Sequence, residues 1–327
     1  MLRQWNYLHS TPIFDGRSSR RHHSRPLWKL QLDSLLHRSG SVKPNEVRRF
    51  AQFLGFPRSG HSLVGALIDA HPSARISHEL DAMGLFRAGM SYRSVARLID
   101  QNASSFAANG RWWNGYSYAI DYDSEAESDE TGPPLVIGDK KGDWAVRWCA
   151  RTPGLLQRFL KSGVPKPLWL LVIRAPEDNI ATMTLRRGGH YDRLRIQASL
   201  EGRSASESIA QAQSDGTLPT AVSDEMIDDY RSLCEGIAEM QRAIPQDDWL
   251  VIDYDAFTAS PRQGLERIAS FLGLEANERW LQAASAAVHP PGRSRTRTKL
   301  QWSESQKQAV RELRSRFDFL GDEEVTI

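Results

Sequence analysis

The strongest constraint on the fold lies in residues 50–70, where an apolar run, a glycine-bounded loop and an apolar helical pattern follow one another. The run 50–54 (FAQFL) has the length and composition of a buried strand. The loop that follows begins at Gly55 and contains Pro57, and both residue types interrupt regular structure. Because the pattern at 62–70 (SLVGALIDA) is helical, the segment predicts a strand, a tight turn and a helix.

Three further apolar runs, at 135–138, 168–173 and 249–254, have polar boundaries and are separated by helical patterns. Continuous apolar strands that alternate with helices indicate a parallel sheet covered on both faces. With 327 residues, of which 40% are hydrophobic and 25% charged, the chain is long enough to bury a large core. The sequence therefore predicts an α/β fold, with a central parallel sheet flanked by helices on both faces, in a main domain at 46–327.

The overall charge argues against partners that need a strong electrostatic field. The 42 Lys and Arg residues nearly balance the 40 Asp and Glu residues, which leaves a formal net charge of +2. Nucleic acid is therefore not an expected partner.

The two cysteines, Cys149 and Cys234, lack metal-site spacing, so we interpret them as core residues and expect no metal. No run approaches the roughly 18 apolar residues of a membrane span, and we expect a cytoplasmic protein.

Residues 1–45 form a basic N-terminal extension with eight Lys and Arg residues and only two Asp residues. The charge is densest at 17–25 (RSSRRHHSR), which is poor in apolar residues. Two interpretations are open. The extension is either an anion-binding or targeting arm, or a solvated segment partly held by Trp5, Trp28 and Leu30.

Two segments interrupt the alternation of strands and helices and are interpreted as insertions. Residues 104–132 contain a group of aromatic residues and then a run of acids, and residues 188–222 are rich in Gly, Ser and polar residues. Long insertions on an α/β scaffold usually lie above the carboxyl ends of strands, where ligands bind. The aromatic group either stacks on a sugar ring or aromatic acceptor or forms the core of the insertion. Its members are Trp112, Trp113, Tyr116 and Tyr118.

Residues 55–62 (GFPRSGHS) fit the spacing of a phosphate-binding loop, except that His61 replaces the usual lysine. In such a loop, backbone N–H groups and the helix dipole converge on an anion, and Arg58 adds a planar pair of donors. Because a nucleoside triphosphatase uses the lysine to hold its phosphates, triphosphate hydrolysis is not expected. The alternative is an ordinary glycine turn. The candidate anion-binding residues are Arg58, Ser59, Gly60, His61 and Ser62.

A second candidate anion site follows the run at 168–173. Arg174 ends that strand, and Thr182 and Arg186 lie four residues apart on one face of the helix after it. A guanidinium, a helix N-terminus and a hydroxyl group are thereby presented to a single dianion. Alternatively, Arg174 pairs with a nearby acid, either Glu177 or Asp178.

Both segments resemble those of sulfotransferases that use 3'-phosphoadenosine 5'-phosphosulfate (PAPS). Residues 56–63 (FPRSGHSL), with 68–72 (IDAHP) after them, are similar to the family's 5'-phosphosulfate-binding segment. Residues 172–186 are similar to its 3'-phosphate-binding strand and helix, in which an arginine at the strand end and a hydroxyl eight residues later hold the 3'-phosphate. In this sequence those two residues are Arg174 and Thr182.

The resemblance extends over about residues 48–320, since IDYDAF at 252–257 and FLGL at 271–274 also look like the family. It implies a P-loop-NTPase-like sulfotransferase fold, with PAPS as the donor, 3'-phosphoadenosine 5'-phosphate (PAP) as the product and no metal. The expected acceptor is a small molecule, a carbohydrate or a lipid-like compound.

The candidate general base is Glu79, which lies in the short segment after the loop's helix. In part of the resembling family, including protein-tyrosine sulfotransferases, the base is a glutamate in this segment. His78 is the competing candidate. We expect only one of the two to face the site, because adjacent residues of an extended strand point to opposite sides.

The candidate catalytic cation is Lys140, which follows the strand predicted at 135–138. The resembling family carries an Asn/Asp-Lys pair at this strand end, similar to Asp139 and Lys140, and Lys141 is then the solvated neighbour. Arg58 and His61 complete the candidate catalytic group. The imidazole of His61 either stabilises a sulfonate oxygen when protonated or donates one hydrogen bond when neutral.

A basic loop at 290–299 (PPGRSRTRTK) lies near the end of the sequence. In the resembling family a C-terminal basic loop closes over the 3'-phosphate, and Arg293 and Arg297 are the candidates for this contact.

The sequence thus predicts a sulfotransferase that moves a sulfuryl group from PAPS to a hydroxyl or amine by in-line transfer, with a glutamate base. One alternative is a phosphate-loop kinase that uses ATP and magnesium. The other is a non-catalytic nucleotide-binding module.

Overall fold

The computed structural model describes residues 27–36, 40–113, 116–122, 132–187, 189–202, 204–289 and 296–321. Seven strands lie in these residues: β1 Arg49–Gly55, β2 Ala74–Ser77, β3 Trp112–Trp113, β4 Tyr116–Ser117, β5 Val136–Asp139, β6 Pro167–Ile173 and β7 Trp249–Asp253.

Fourteen α-helices lie in the same part of the chain. They are α1 Leu27–Leu36, α2 His61–Asp69, α3 Ala82–Arg87, α4 Tyr92–Ala108, α5 Gly142–Arg151, α6 Leu155–Leu160, α7 Pro176–Arg186, α8 His190–Leu200, α9 Ala205–Ser214, α10 Asp224–Ala243, α11 Tyr254–Ala259, α12 Pro261–Leu272, α13 Glu278–Ala286 and α14 Glu304–Arg316. Short 3₁₀ turns occur at Gln246–Asp248, Thr296–Lys299 and Asp318–Leu320.

Five strands form one parallel sheet in the order β2-β5-β1-β6-β7, and β3 and β4 form a separate antiparallel hairpin. The central strand β1 pairs with β5, where Gln52 lies opposite Asp139, and with β6, where Gln52 lies opposite Trp169. All the pairings of the large sheet are parallel. The carboxyl ends of its strands therefore meet at one edge.

The core lies on both faces of this sheet, as the continuous apolar strands predict. In β1, Phe50 and Leu54 belong to the core cluster that includes α4, α5 and α10 residues. Ala51 and Phe53 belong to the cluster on the other face, with α2, α12 and α13. Because successive side chains of a strand alternate between faces, one apolar strand supplies both halves of the core. The predicted α/β fold, a parallel sheet with helices on both faces, is confirmed.

The predicted strands and the first helix agree with β1, β5, β6, β7 and α2 to within a residue or two. The strand β2 was not predicted as part of the sheet, since its four residues, ARIS, include Arg75 and Ser77 and form no apolar run. Residues 188–222, which we interpret as an insertion, are largely helical, since α8 and α9 occupy much of this segment.

Helix α1 lies within the basic extension. Leu30 is buried against the core, but Trp28 is 61% exposed, so the interpretation that Trp28 holds the extension is wrong. Trp5 lies outside the described residues. Cys234 is buried and Cys149 is half-buried against the core. Among the described residues, none of the helices combines the length and hydropathy needed to cross a bilayer.

Candidate active site

The segments that follow the five parallel strands enclose a cavity of about 660 Å³. Each strand end contributes to its lining: Arg58, Gly60, His61 and Ser62 after β1, Glu79 after β2, Lys140 and Lys141 after β5, Arg174 and Thr182 after β6, and Tyr254 after β7. The carboxyl edge of a parallel sheet is where ligands bind in open α/β folds. The sheet therefore brings residues from distant parts of the sequence to one place.

The loop after β1 turns sharply, with φ values of 140° at Gly55, 75° at Arg58 and 107° at Gly60. A Cβ atom on Gly60 would lie 2.0 Å from Cδ2 of Tyr254, so the tyrosine ring packs directly on the loop backbone. The left-handed conformation of Arg58 is uncommon for a residue with a side chain. Its guanidinium lines the cavity, 5.9 Å from the ring of Tyr116, and forms no ion pair with any described residue.

The first turn of α2 offers free N–H groups to the cavity. The N–H groups of Leu63 and Val64 donate to the carbonyl oxygen of Gly60 at 3.0 and 3.3 Å. In the described part of the chain, those of His61 and Ser62 have no backbone acceptor, as is usual for the first turn of a helix. Together with the helix dipole, they form an arrangement suited to an anion.

Ser59 does not share this position. Its side chain is fully buried, its N–H donates to the carbonyl oxygen of Phe56 at 3.2 Å, and it does not line the cavity. Ser59 is therefore not among the residues that line the cavity, and its contact with an anion stays a prediction.

His61 begins α2 and is only 6% exposed. Burial, and then the charge of Lys140, lower the pKa of His61 to about 3. The ring packs on Gly142, where a Cβ atom would lie 3.0 Å from Cδ2 of His61. Of the two states considered for His61, the site therefore favours the neutral imidazole that donates one hydrogen bond.

Glu79 lies between two buried lysines at the centre of the cavity. Its Oε1 accepts from Nζ of Lys140 and its Oε2 from Nζ of Lys141. Nζ of Lys140 also donates to Oγ of Ser62 at 2.9 Å, which joins this group to the phosphate-binding loop. Burial raises the pKa of Glu79, but the charges of Lys140 and Lys141 outweigh it and hold that pKa well below its usual range.

The expectation that Lys141 is solvated is wrong. Lys140 is 2% exposed and Lys141 5% exposed, and both ammonium groups need the Glu79 carboxylate as a counter-ion. Lys140 reaches the loop because Gly65, on α2, has no side chain. A Cβ atom there would lie 2.9 Å from Cγ of Lys140.

Asp139, the last residue of β5, fixes the turn that carries Glu79. Its Oδ1 accepts from Oγ of Ser77 at 2.8 Å and from the N–H of Leu80 at 3.2 Å, and its Oδ2 accepts from the N–H of Ala82 at 2.8 Å. Asp139 is fully buried and does not line the cavity. Since both carboxylate oxygens are used inside the fold, Asp139 is not placed to hold magnesium, which argues against the kinase alternative.

The structure places Glu79, and not His78, at the cavity. The ring of His78 stacks on Phe106, with centroids 4.0 Å apart, and meets the edge of Trp113 at 5.2 Å. Alternation along an extended strand is not the reason, however. The strand ends at Ser77, and Glu79 has a left-handed φ of 65° that turns its side chain towards the two lysines.

Arg174 and Thr182 line the same cavity as the loop after β1. The guanidinium of Arg174 lies 5.8 Å from the ring of Tyr254 and forms no ion pair with the described residues. Oγ1 of Thr182 donates to the carbonyl oxygen of Asp178 at 2.7 Å, a hydrogen bond that an anion would have to replace. Arg174 and Thr182 therefore stay the candidates for a second anion-binding position.

The alternative partners of Arg174 are engaged elsewhere. Glu177 pairs with Arg314 at 2.7 Å, and Asp178 pairs with Arg297 at 3.2 Å. Both acids are almost completely buried. They therefore leave the charge of Arg174 to the cavity.

Two predicted phosphate ligands are also occupied in ion pairs. Arg186 pairs with Asp192, and burial, with the charge of Arg58, lowers its pKa to about 10. The N–H and Nη1 of Arg297 both donate to Asp178, at 3.0 and 3.2 Å, which fastens the C-terminal segment to α7. Neither residue lines the cavity. The third, Arg293, lies outside the described residues.

The β3–β4 hairpin forms an aromatic wall of the cavity through Trp113, Tyr116 and Tyr118. Tyr118 shares a hydrogen bond with Ser62, and burial raises its pKa to about 12. Arg195, on α8, lies 4.4 Å from the ring centroid of Tyr116. Both proposed insertions thus contribute to the cavity, and the aromatic residues act partly as core, since Trp113 is 4% exposed.

Sequence reasoning missed several residues that line the cavity: Lys141 as a partner of Glu79, and Asp143, Tyr191, Arg195 and Tyr254. Tyr254 directly follows β7, so the rule that located Lys140 and Arg174 at strand ends would have found it as well. Arg195 lies on a helix without an apolar pattern, and nothing in the local sequence singles it out.

No family model matches this chain, and no curated protein matches it. Similar solved structures include the sulfotransferase domain of the Synechococcus PCC 7002 olefin synthase, which is 14% identical to this chain and has a TM-score of 0.44. The alignment covers 83% of this chain and 95% of that domain. Sulfotransferase STF9 from Mycobacterium avium has 13% identity, coverages of 88% and 84%, and a TM-score of 0.44. Mouse sulfotransferase SULT7A1 complexed with PAP has 12% identity, coverages of 91% and 93%, and a TM-score of 0.36.

Proposed function

We propose that this protein is a sulfotransferase that moves a sulfuryl group from PAPS to a hydroxyl or amine of a small-molecule, carbohydrate or lipid-like acceptor. The observation that supports the proposal is that two separate groups of residues, each suited to bind an anion, line one cavity. The first is the loop at Arg58–Ser62, and the second is Arg174 with Thr182. PAPS carries anionic groups on both the 5' and 3' positions of its ribose, whereas ATP carries one anionic chain. Two positions for anions in one cavity therefore fit PAPS better than ATP.

The source of the cation supports the same conclusion. A phosphate-loop nucleotidase holds its triphosphate with a lysine from the loop itself. Here the loop has the neutral His61, and the ammonium group beside it belongs to Lys140, from the end of β5, at 2.9 Å from Oγ of Ser62. We infer that this cation would stabilise the charge that grows on the leaving phosphate oxygen.

In the proposed reaction, the acceptor oxygen forms a bond to sulfur while the bond between sulfur and the bridging oxygen of the donor breaks. The bonding electrons leave with PAP, and the proton of the acceptor goes to Glu79. Arg58 and Lys140 stabilise the negative charge on the sulfonate and bridging oxygens.

Glu79 is a weak base while both lysines hold it, because their charges depress its pKa. An anionic donor would compete with Glu79 for Lys140. When Lys140 pairs with the donor, Glu79 loses one of the two charges that lower its pKa. Burial, which raises the pKa, then has the larger effect, and the pKa of Glu79 rises. A higher pKa makes the carboxylate a better proton acceptor near neutral pH.

Nucleotide binding tests the donor assignment without knowledge of the acceptor. PAP should raise the melting temperature, and ATP with magnesium at equal concentration should do so much less. Charge-assisted hydrogen bonds contribute about 1.5 to 3 kcal/mol each, so Arg174→Ala should weaken PAP binding by roughly 10- to 150-fold. The matched control is Arg187→Ala, since Arg187 is an exposed arginine that directly follows α7 and pairs with Glu225, and this variant should bind PAP as the wild type does.

Equal stabilisation by the two nucleotides would overturn the donor assignment, and undiminished discrimination by Arg174→Ala would place the 3'-phosphate elsewhere. The transfer itself is tested by incubation with PAPS and a library of hydroxyl- and amine-containing compounds, with sulfated products detected by mass spectrometry. Product formation that is lost in Glu79→Gln would support the proposed base.

A further inference from the structure

A buried asparagine, Asn179, connects the loop after β1 to the helix α7. Its side chain is fully buried, and its Nδ2 donates to the carbonyl oxygen of Pro57 at 2.8 Å. Pro57 directly precedes Arg58 in the loop, whereas Asn179 lies on the helix that carries Thr182. One hydrogen bond therefore joins the two groups of residues that are candidates for binding anions.

The pairing of the strands does not extend as far as this hydrogen bond. The paired residues of β1 and β6 end with Gly55, which lies opposite Val172. Beyond that pair the two segments separate, one into the loop and the other through Arg174 into α7. The bond between Asn179 and Pro57 joins them again, two residues after the last paired residue of β1.

The same hydrogen bond orients the peptide group between Pro57 and Arg58. This peptide group is trans, so its carbonyl group and its N–H point in opposite directions within one plane. Because Asn179 binds the carbonyl oxygen, the N–H of Arg58 points away from Asn179. Within the described residues that N–H has no acceptor, so it can donate to an anion in the loop.

The amide of Asn179 is only partly satisfied inside the fold. Its Nδ2 has an acceptor in Pro57 and lies 3.5 Å from Sδ of Met183, but its Oδ1 is buried and has no hydrogen-bond partner among the described residues. A buried acceptor without a partner is unfavourable for stability. Stability alone therefore does not account for an amide at this position, and its contact with the loop does.

We propose that Asn179 is a positioning residue that sets the distance between the loop after β1 and the pair Arg174 and Thr182. The inference rests on the proposed function, which assigns these two groups to the 5' and 3' anions of one nucleotide. A ligand with two anionic groups benefits from both only when the protein holds them at the matching distance beforehand. Asn179 thereby gives the cavity its preference for nucleotides that carry both anions.

Three nucleotides test the proposal: PAP, which has phosphates at the 5' and 3' positions, and the 5'- and 3'-monophosphates of adenosine, which have one each. The variant is Asn179→Leu, which keeps a similar side-chain volume and removes the donor to Pro57. Its affinity for PAP should fall roughly 3- to 10-fold, the effect of one lost hydrogen bond. Its affinity for each monophosphate should change by less than about twofold, because a single phosphate needs only one of the two groups. Titration calorimetry measures the three dissociation constants.

The matched control is Asn277→Ala, which removes an asparagine hydrogen bond at a distance from the cavity. Oδ1 of Asn277 accepts from the N–H of Trp280 at 3.1 Å at the start of α13, and Asn277 does not line the cavity. The control should melt at a lower temperature and bind all three nucleotides as the wild type does. Asn179→Ala, which introduces no larger side chain, should show the same selective loss as Asn179→Leu.

The outcomes separate this inference from the proposed function. Unchanged PAP binding by Asn179→Leu would overturn the positioning role and leave the donor assignment in place. Equal losses for the three nucleotides would also overturn it, since Asn179 would then support the site as a whole and not the distance within it. Absence of PAP binding by the wild type would refute the donor assignment, and this inference with it.

Discussion

Replacement of Glu79 by glutamine tests the arrangement at the centre of the cavity. The carboxylate accepts from two ammonium groups, one on each oxygen. The amide has one oxygen acceptor and no charge. In Glu79→Gln, at most one of Lys140 and Lys141 keeps its hydrogen bond to this side chain, and both lose the carboxylate with which they pair.

The magnitude follows from the burial of the two lysines, which are 2% and 5% exposed. Removal of one partner of a buried ion pair costs about 3 to 5 kcal/mol, because an uncompensated charge remains in the protein. We expect Glu79→Gln to lower the free energy of unfolding by that amount at neutral pH. The control is Glu278→Gln, whose bidentate pair with Arg262 is solvent-exposed and should contribute far less to stability than the buried Glu79 pairs.

The effect should depend on pH with a definite sign. The folded-state pKa of Glu79 lies below the value of about 4.3 for an unfolded glutamate. A carboxyl group of this kind contributes stability above its unfolded pKa and loses that contribution as the pH falls through its folded pKa. The difference between wild type and Glu79→Gln is therefore full between about pH 6 and 8 and shrinks below about pH 4.

Urea unfolding at neutral and acidic pH measures the difference in stability, and sulfated product measures turnover. We expect turnover to fall by roughly a hundred- to ten-thousandfold while PAP binding is retained. His78→Asn should lose far less. Wild-type stability of Glu79→Gln at neutral pH would refute the counter-ion role, and the reverse ranking of the two variants in turnover would refute the choice of base.

Three further predictions concern the loop and its neighbours. Gly60→Ala should weaken PAP binding at least roughly tenfold, because its Cβ atom would lie 2.0 Å from the Tyr254 ring, whereas Gly216→Ala, with a φ of 74° and no atom within 4 Å, should not. Lys140→Met should reduce turnover by roughly a hundredfold and weaken PAP binding by a much smaller factor, because Lys140 gives up the Glu79 carboxylate when it pairs with the nucleotide, as binding measurements would show. Since burial lowers the pKa of His61 to about 3, this imidazole stays neutral near pH 6.5. The pH profile of turnover should therefore be the same in the wild type and in His61→Gln around pH 6.5.

The main sheet could be predicted from the sequence because its inner strands are buried on both faces. The runs in β1 and β6 are almost entirely apolar, and polar residues bound them. The edge strand β2 has only four residues, and Arg75 and Ser77 interrupt its apolar character. Its place in the sheet depends on pairing with β5, which no local pattern reveals.

The strand-end rule identified the positions of Lys140 and Arg174, but it did not identify their partners. Whether Lys141 is solvated depends on which residue faces it in the fold. That residue is Glu79, which is 62 residues earlier in the chain. Likewise, the helix face shared by Thr182 and Arg186 predicted a common ligand. Arg186 instead pairs with an acid on the next helix, which helical spacing alone does not show.

In the proposed mechanism Glu79 has two roles, and it cannot fill both at the same time. As the counter-ion of Lys140 and Lys141, the carboxylate is stabilised in its charged form and has little affinity for a proton. As the proposed base, it must take a proton from the acceptor. The two can follow one another only if an anion first takes over Lys140, which already contacts Ser62 of the phosphate-binding loop. In the proposed reaction, the donor therefore binds before the acceptor is activated, and Glu79 becomes a proton acceptor in the donor complex and not in the free protein.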